Sequence, residues 1–393
     1  MDTATVVTPP HVAGPLHLAP FRALRLIPSR VGDPASARAF ARPYRDVAQR
    51  LERWEEQGLI VHDPTPALYL HEYTGNGITI RGLVGALDVS RRATRPEQRA
   101  IFPHEGIYPA QADDLADRMA EMGMNPAPIL LVQHSPQELR SLLSEHRERA
   151  PDHAFVDRTG QTHRLWAIDD PIDLATIDRL LAPTHAVIAD GHHRYAAYLR
   201  LQQRTAGTAN DRGLAMLVDQ DDTPLFLGAI HRVLAGSSVA DVVAAARSLG
   251  ICARSTDRDT ALAALGPSIL VATDNEEWLV LALDLTGDLV EVEILHQQLI
   301  PMLAHGPRRL TNHHTAQDAL DHAGPGRGTA ILMPAPSFDQ VQKIVLANRL
   351  FPEKATSFQP KPPSGVLLRA VHDELSAPKS PPPRSAKRRR SAS

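Results

Sequence analysis

No lysine occurs before position 343. The 393-residue chain carries only five, Lys343, Lys354, Lys361, Lys379 and Lys387, against 37 arginines. That absence excludes a Walker phosphate loop, a kinase strand lysine and a Schiff-base lysine from the first 342 residues. Phosphate bound by that stretch would have to be held by backbone, Arg or His. Cysteine is scarcer still: Cys252 stands alone, which leaves no intrachain disulfide, no Cys-rich zinc site and no dithiol pair. Aromatic residues make up 4% of the chain, too few for the stacking platforms that hold single-stranded nucleic acid. No apolar run reaches the roughly 18 residues a membrane span needs. The opening "MDTATVVTPPHVAGPLHLAP" is broken by Pro and His where a signal peptide would need an apolar core, so a cytoplasmic location is expected.

What the chain has is ample length, 43% apolar residues and a net charge of −3. The length predicts two domains, or one large α/β domain with an appendage. The Arg, Ala and Pro bias is that of a GC-rich bacterial genome. From Ser376 the sequence reads "SAPKSPPPRSAKRRRSAS", with six cations and almost nothing to bury, and is expected to be disordered. Without those six, 36 basic residues face 45 acidic ones, a net −9 that disfavours nucleic acid as a partner beyond weak contacts of the tail. The expected division is a flexible N-terminus over 1–17, a catalytic region over 18–236, a C-terminal α/β region over 237–375 and the tail over 376–393.

Helical spacing predicts helices over 36–57, 112–122, from Ser135 on (with Glu138 at capping-box distance), 173–181, 192–203, 239–249, 295–303 and 338–347. "ALYLHEYT" and "ITIRGLVGALDV", joined through Asn76-Gly77, read as a hairpin, and "HAFVDRTGQTHRLWAI" as a second. Further strands are expected at "PILLVQ", "HAVIAD", "GLAMLVD", "PLFLGAIHRVL", "SILVATD", "EWLVLALD", "LVEVEI" and "TAILMP". The fold class is α/β, with α+β open, built on mixed sheets, and no repeat is present.

The sharpest chemical feature is "VIADGHHRYAAYLRL", residues 187–201. A buried strand delivers Asp190 to a turn at Gly191, and His192, His193 and Arg194 open a helix. Unpaired N–H groups at a helix start attract anions, and an Arg with two His would complete a phosphate cradle without lysine. Asp190 suits Mg²⁺ coordination, proton abstraction or a plain helix cap. Two strand pairs, His163-Arg164 and His231-Arg232, could aim Arg164, His231 and Arg232 at a shared anionic ligand. Asn312-His313-His314 and His296 lack the i, i+4 spacing of paired metal ligands.

Across about residues 18–370 the chain resembles domain-of-unknown-function family 1015. The resemblance runs in order through Pro20-Phe21-Arg22-Ala23-Leu24, Gly82-Leu83-Val84-Gly85, Pro103-His104-Glu105, His163-Arg164-Leu165-Trp166, Ala189 to Tyr195, His231-Arg232, Pro352 to Phe358 and Pro360 to Gly365. The Asp190-Gly191-His192-His193-Arg194 turn is also similar to the phosphate-binding motif of the ParB/sulfiredoxin superfamily, in particular of free L-serine kinases. This implies a ParB/sulfiredoxin-like mixed sheet and a phosphotransferase acting on a small hydroxyl metabolite. L-Serine is the leading acceptor, Mg²⁺ the cofactor, and ATP, ADP or pyrophosphate the donor. Sulfiredoxins place a catalytic Cys where His192 stands, so sulfinic acid reduction is excluded here. The serine kinases use a Glu as base. Glu105, in the Pro-flanked segment "IFPHEGIYP", is the candidate, although the larger family tends to carry Thr where this chain has Ile107. Two alternatives stay open: a ParB-like nucleotide-binding regulator, and a metal-dependent phosphate-ester hydrolase built on Asp190, His192 and His193.

Overall fold

A computed structural model describes residues 6–34, 36, 47–285, 289–352 and 354–371. The basic tail lies outside the described residues, as does much of the first half of the helix expected over 36–57, which is described from Val47 to Glu56. The fold is mixed α/β, as expected.

Its largest element is a ten-stranded sheet. In chain order its strands are β1 (Val12–Ala13), β2 (Leu18–Ala19), then, after β3 (Ala23–Leu26) and β4 (Ile60–His62) of another sheet, β5 (Leu68–Gly75), β6 (Ile78–Asp88) and β7 (Arg99–Phe102). After β8 (Met124–Asn125) come β9 (Ile129–Gln133), β10 (His153–Val156), β11 (Thr162–Ile168), β12 (Ala186–Asp190) and β13 (Arg212–Asp219). Their spatial order is β1-β7-β12-β9-β13-β6-β5-β11-β10, with β2 on β6. The first hairpin forms as expected: Asn76 and Gly77 take φ of 53° and 77°, the double left-handed turn that an Asn-Gly pair favours.

The central strands are buried on both faces, and period-2 alternation assigns each residue to one core or the other. Leu130, Val132, Val187, Ala189, Leu214, Met216 and Val218 face one cluster, while Ile129, Leu131, Ile188, Ala215 and Leu217 face the second. Four helices cover the second: α1 (Pro109–Met122), α2 (Gln137–Glu148), α3 (Pro171–Leu181) and α4 (His192–Arg204). On β6 the alternation is interrupted by Gly85, where a Cβ would stand 2.6 Å from Leu68 Cδ2 and 2.9 Å from Leu18 Cβ, so this motif glycine serves close packing.

A six-stranded antiparallel sheet follows, with order β16-β18-β17-β20-β15-β19. Its strands, after the short β14 (Phe226–Gly228), are β15 (His231–Ala235), β16 (Cys252–Thr256), β17 (Ile269–Thr273), β18 (Trp278–Ala282), β19 (Arg309–His313) and β20 (Gly328–Leu332). Its Leu234, Leu270, Leu281 and Ile331 join the same buried cluster as Val84 and Met216 of the large sheet. The chain then returns. β21 (Ser357–Gln359) pairs with β14, and β22 (Leu368–Ala370) enters a four-stranded sheet with β4, β3 and β8.

Several sequence expectations need correction. From Val6 the N-terminus is not loose, because Val7 bridges Ile107 and β1 pairs with β7. "PLFLGAIHRVL" is two strands in two sheets, β14 and β15. "LVEVEI" is not a strand but the start of a helical stretch, Glu291–Met302, with a π-helical turn over Ile294–Leu299. Its alternation comes from two buried carboxylates: Glu293 caps Val290 N–H and pairs with Arg349 at 3.1 Å, and Glu291 accepts from Ser268 N–H. The capping box at Ser135 does not form, since Pro136 is the N-cap residue of α2 and the Ser135 hydroxyl accepts from Gln133 Nε2.

Candidate functional site

β12 runs parallel to β7, so both strands release the chain at the same end of the sheet. β7 leads into Pro103-His104-Glu105 and β12 into Asp190-Gly191-His192. Open α/β sheets bind ligands at such carboxyl ends. Here a cavity of about 760 Å³ is lined by Glu105, Asp190, Gly191, His192, His193 and Arg194, within the size range of small-molecule sites. Arg118 of α1 and two residues from the returning C-terminal segment, Lys354 and Lys361, also line it.

Gly191, which has no side chain to cap with, is the N-cap residue of α4 at φ 92°. This corrects the plain-cap option for Asp190, whose oxygens are engaged elsewhere. Asp190 Oδ2 takes Arg194 Nη2 at 2.7 Å, and Oδ1 takes Lys361 Nζ. Arg194 also donates to Pro128 O at 2.5 Å. Gly191 is further constrained by space, since a Cβ there would lie 3.0 Å from the Arg194 guanidinium and 3.1 Å from Ile129 Cγ2.

The two motif histidines have a different task from the expected cradle. His192 Nε2 accepts from His104 N–H at 3.3 Å, and His193 Nε2 accepts from Tyr108 N–H at 3.1 Å. They therefore grip both ends of the loop that presents Glu105, and hydrogen-bond logic assigns the His192 proton to Nδ1. Burial, reinforced by His104, His193 and Lys361, pushes His192 well below the usual histidine range, so it is a neutral acceptor. His104 completes the brace. Its Nδ1–H donates to Ile188 O at 2.5 Å, so Nε2 accepts from the Thr356 hydroxyl at 2.6 Å, and burial lowers its pKa to about 4. Ile107 is buried with Ala112 and Ala196 and does not line the cavity.

Of the remaining candidates, Arg232 and His231 lie behind the cavity wall. Arg232 is fully buried, donating to His296 Nε2 at 3.1 Å, Ile230 O at 2.8 Å and Lys354 O at 2.9 Å. Burial lowers its pKa to about 10 against the opposing charge of Glu105. The carbonyl it holds belongs to a lysine in the left-handed region, at φ 56°, a conformation that non-glycine residues adopt uncommonly. His231 accepts from Met333 N–H, just beyond β20, at 3.0 Å. Arg164 is not brought to the site. It is 61% exposed beside Glu72, in a network with Arg81, and does not line the cavity.

Lys354, Lys361 and His104 were not among the expected site residues. The signal for the lysines was their rarity, because two of only five in the chain converge on one cavity. The wall thus holds four permanent cations, Arg118, Arg194, Lys354 and Lys361, against the carboxylates of Glu105 and Asp190. With both Asp190 oxygens facing cations, the residues present do not fit a metal ion held by the protein at this position.

Among solved structures the chain is similar to a free serine kinase variant in complex with ADP: 16% identity, 70% of this chain and 91% of that one, TM-score 0.40. It is also similar to a conserved hypothetical protein from Pyrococcus furiosus (16%, 70% and 94%, TM-score 0.37). A third likeness is to SbnI with a C-terminal truncation from Staphylococcus aureus (12%, 69% and 84%, TM-score 0.40). No curated protein matches the sequence. Residues 5–297 match the family model described as protein of unknown function (DUF1015), and the chain belongs to that family.

Proposed function

We propose that this protein is a phosphotransferase that moves a phosphoryl group from ATP, ADP or pyrophosphate to the hydroxyl of a small metabolite, with free L-serine as the leading acceptor. The observation that carries the proposal is the make-up of one cavity: four cations and a helix start at Gly191 beside a presented Glu105. The cations and the α4 amides suit the donor's phosphates. Glu105 takes the hydroxyl proton while the acceptor oxygen bonds to phosphorus and the bond to the departing phosphate breaks. His104, His192 and His193 are positioning residues, which fix the Glu105 loop against the turn that binds phosphate. The choice of L-serine, and the ParB/sulfiredoxin-like character of the turn, rest on the Asp190–Arg194 motif alone.

Mg²⁺, expected from the chemistry, would have to displace Lys361 to reach Asp190, so no step is assigned to an ion held there. The ion pairs of Asp190, and the backbone N–H bonds that His192 and His193 accept, count against the hydrolase alternative, which needs all three as free ligands.

The test incubates folded protein with Mg²⁺, L-serine and, separately, ATP, ADP or pyrophosphate, and looks for O-phosphoserine by mass spectrometry. Product with one donor is expected, and Glu105→Gln should lower its rate by about 10²-fold or more. No product with any donor, or an undiminished rate in Glu105→Gln, would overturn the assignment.

A further inference from the structure

We infer that His313, Asp318 and His322 form a binding site for a single Zn²⁺ ion on the six-stranded sheet, separate from the cavity. None of the three lines that cavity.

The chain brings them together from two elements. His313 is the last residue of β19, and Asp318 and His322 stand four apart on the short helix Ala316–His322, which puts both on one face. Their donor atoms all lie within 4.8 Å of one another. His313 Nδ1 is 2.7 Å from Asp318 Oδ2, and His322 Nδ1 is 2.8 Å from Asp318 O and 3.5 Å from Asp318 Oδ1. Donors around a tetrahedral zinc ion stand about 3.3 Å apart, a spacing the three side chains reach by a small turn of the exposed His322 ring. The two imidazole rings approach to 4.6 Å between centroids, on either side of Asp318.

The surroundings support a ligand role. The far nitrogen of His313 is held by the Thr311 hydroxyl at 2.9 Å. Without an ion the Nδ1–H groups of His313 and His322 donate to the Asp318 carboxylate and to Asp318 O, so zinc would move both protons to Nε2, where the Thr311 hydroxyl accepts that of His313, the arrangement by which a neighbouring group orients a metal-binding histidine. The His313 side chain is buried, whereas Asp318 and His322 are more than half exposed, so the site is anchored on one side and open to entry on the other. Two imidazole nitrogens and one carboxylate oxygen form a donor set that zinc takes with one position left for water. A bound ion would tie the end of β19 to the last turn of the following helix. The trio escaped the spacing argument because that argument weighed the neighbours His313 and His314, whereas the i, i+4 pair is Asp318 and His322.

The experiment titrates Zn²⁺ into chelator-treated full-length protein by calorimetry and Co²⁺ by its visible absorption. One equivalent is expected to bind the wild type. His322→Ala and Asp318→Asn, both at exposed positions, should weaken that binding at least tenfold, while His305→Ala, which removes an exposed histidine elsewhere, should leave it unchanged. Cys252 is present in every variant and cannot produce the difference. Absence of binding to wild type, or equal binding in the two ligand variants, would overturn the inference.

Discussion

Two places in the large sheet set a carboxylate between two cations, and only one of them has a cavity. Glu72 on β5 takes Arg81 at 2.8 Å through one oxygen and Arg164 at 3.3 Å through the other, with Asp222 completing the network at 2.6 Å from Arg81. Asp190 at the end of β12 likewise takes Arg194 and Lys361. The first network fills its space, leaving a void of only about 20 Å³, and both Glu72 and Arg81 are buried. The second opens on about 760 Å³ at the start of α4. Charge pattern alone does not separate a structural clamp from a binding wall; the space in front of it does.

The comparison breaks down first in stability. Arg81→Met strands Glu72 in the interior with only the exposed Arg164 near it, and should cost about 3–5 kcal/mol by chemical denaturation. Lys361→Met removes a half-exposed partner and should cost less than about 1 kcal/mol. Equal losses from the two would erase the distinction.

A separate effect, graded with pH, comes from histidines buried as neutral groups. Burial lowers His104 and His231 to about 4 and His71 to about 3, against 6.5 for an ordinary histidine. Between those values the unfolded chain binds protons that the folded chain refuses. Stability is therefore fully present above about pH 6.5 and declines as pH falls toward 4, with a slope approaching about 1.4 kcal/mol per pH unit for each histidine. Urea midpoints measured across that window check it, and a flat profile would mean that these histidines are protonated inside the fold.

Much of the local structure was legible in the sequence, because hairpin turns, buried strands and amphipathic helices are written in neighbouring residues. The Asp190–Arg194 turn was legible for the same reason. Its surroundings were not. β7 is four residues long with no turn chemistry of its own, yet its parallel pairing with β12 is what sets Glu105 beside the turn. Lys354 and Lys361 arrive from more than 160 residues downstream of Asp190, a contact no local pattern encodes. His192 and His193 were recognised as important, but their acceptor role depends on N–H groups of His104 and Tyr108 that only the fold brings near.

The most direct test of the cavity as the donor site is a calorimetric titration of pyrophosphate, ADP and ATP into wild type, Lys354→Met, Lys361→Met and Arg164→Ala. The account expects at least one donor to bind wild type, to lose about tenfold in affinity, or about 1.4 kcal/mol, in each lysine variant, and to be unaffected by Arg164→Ala. Failure of all three donors to bind, or equal affinity in all four proteins, would contradict it.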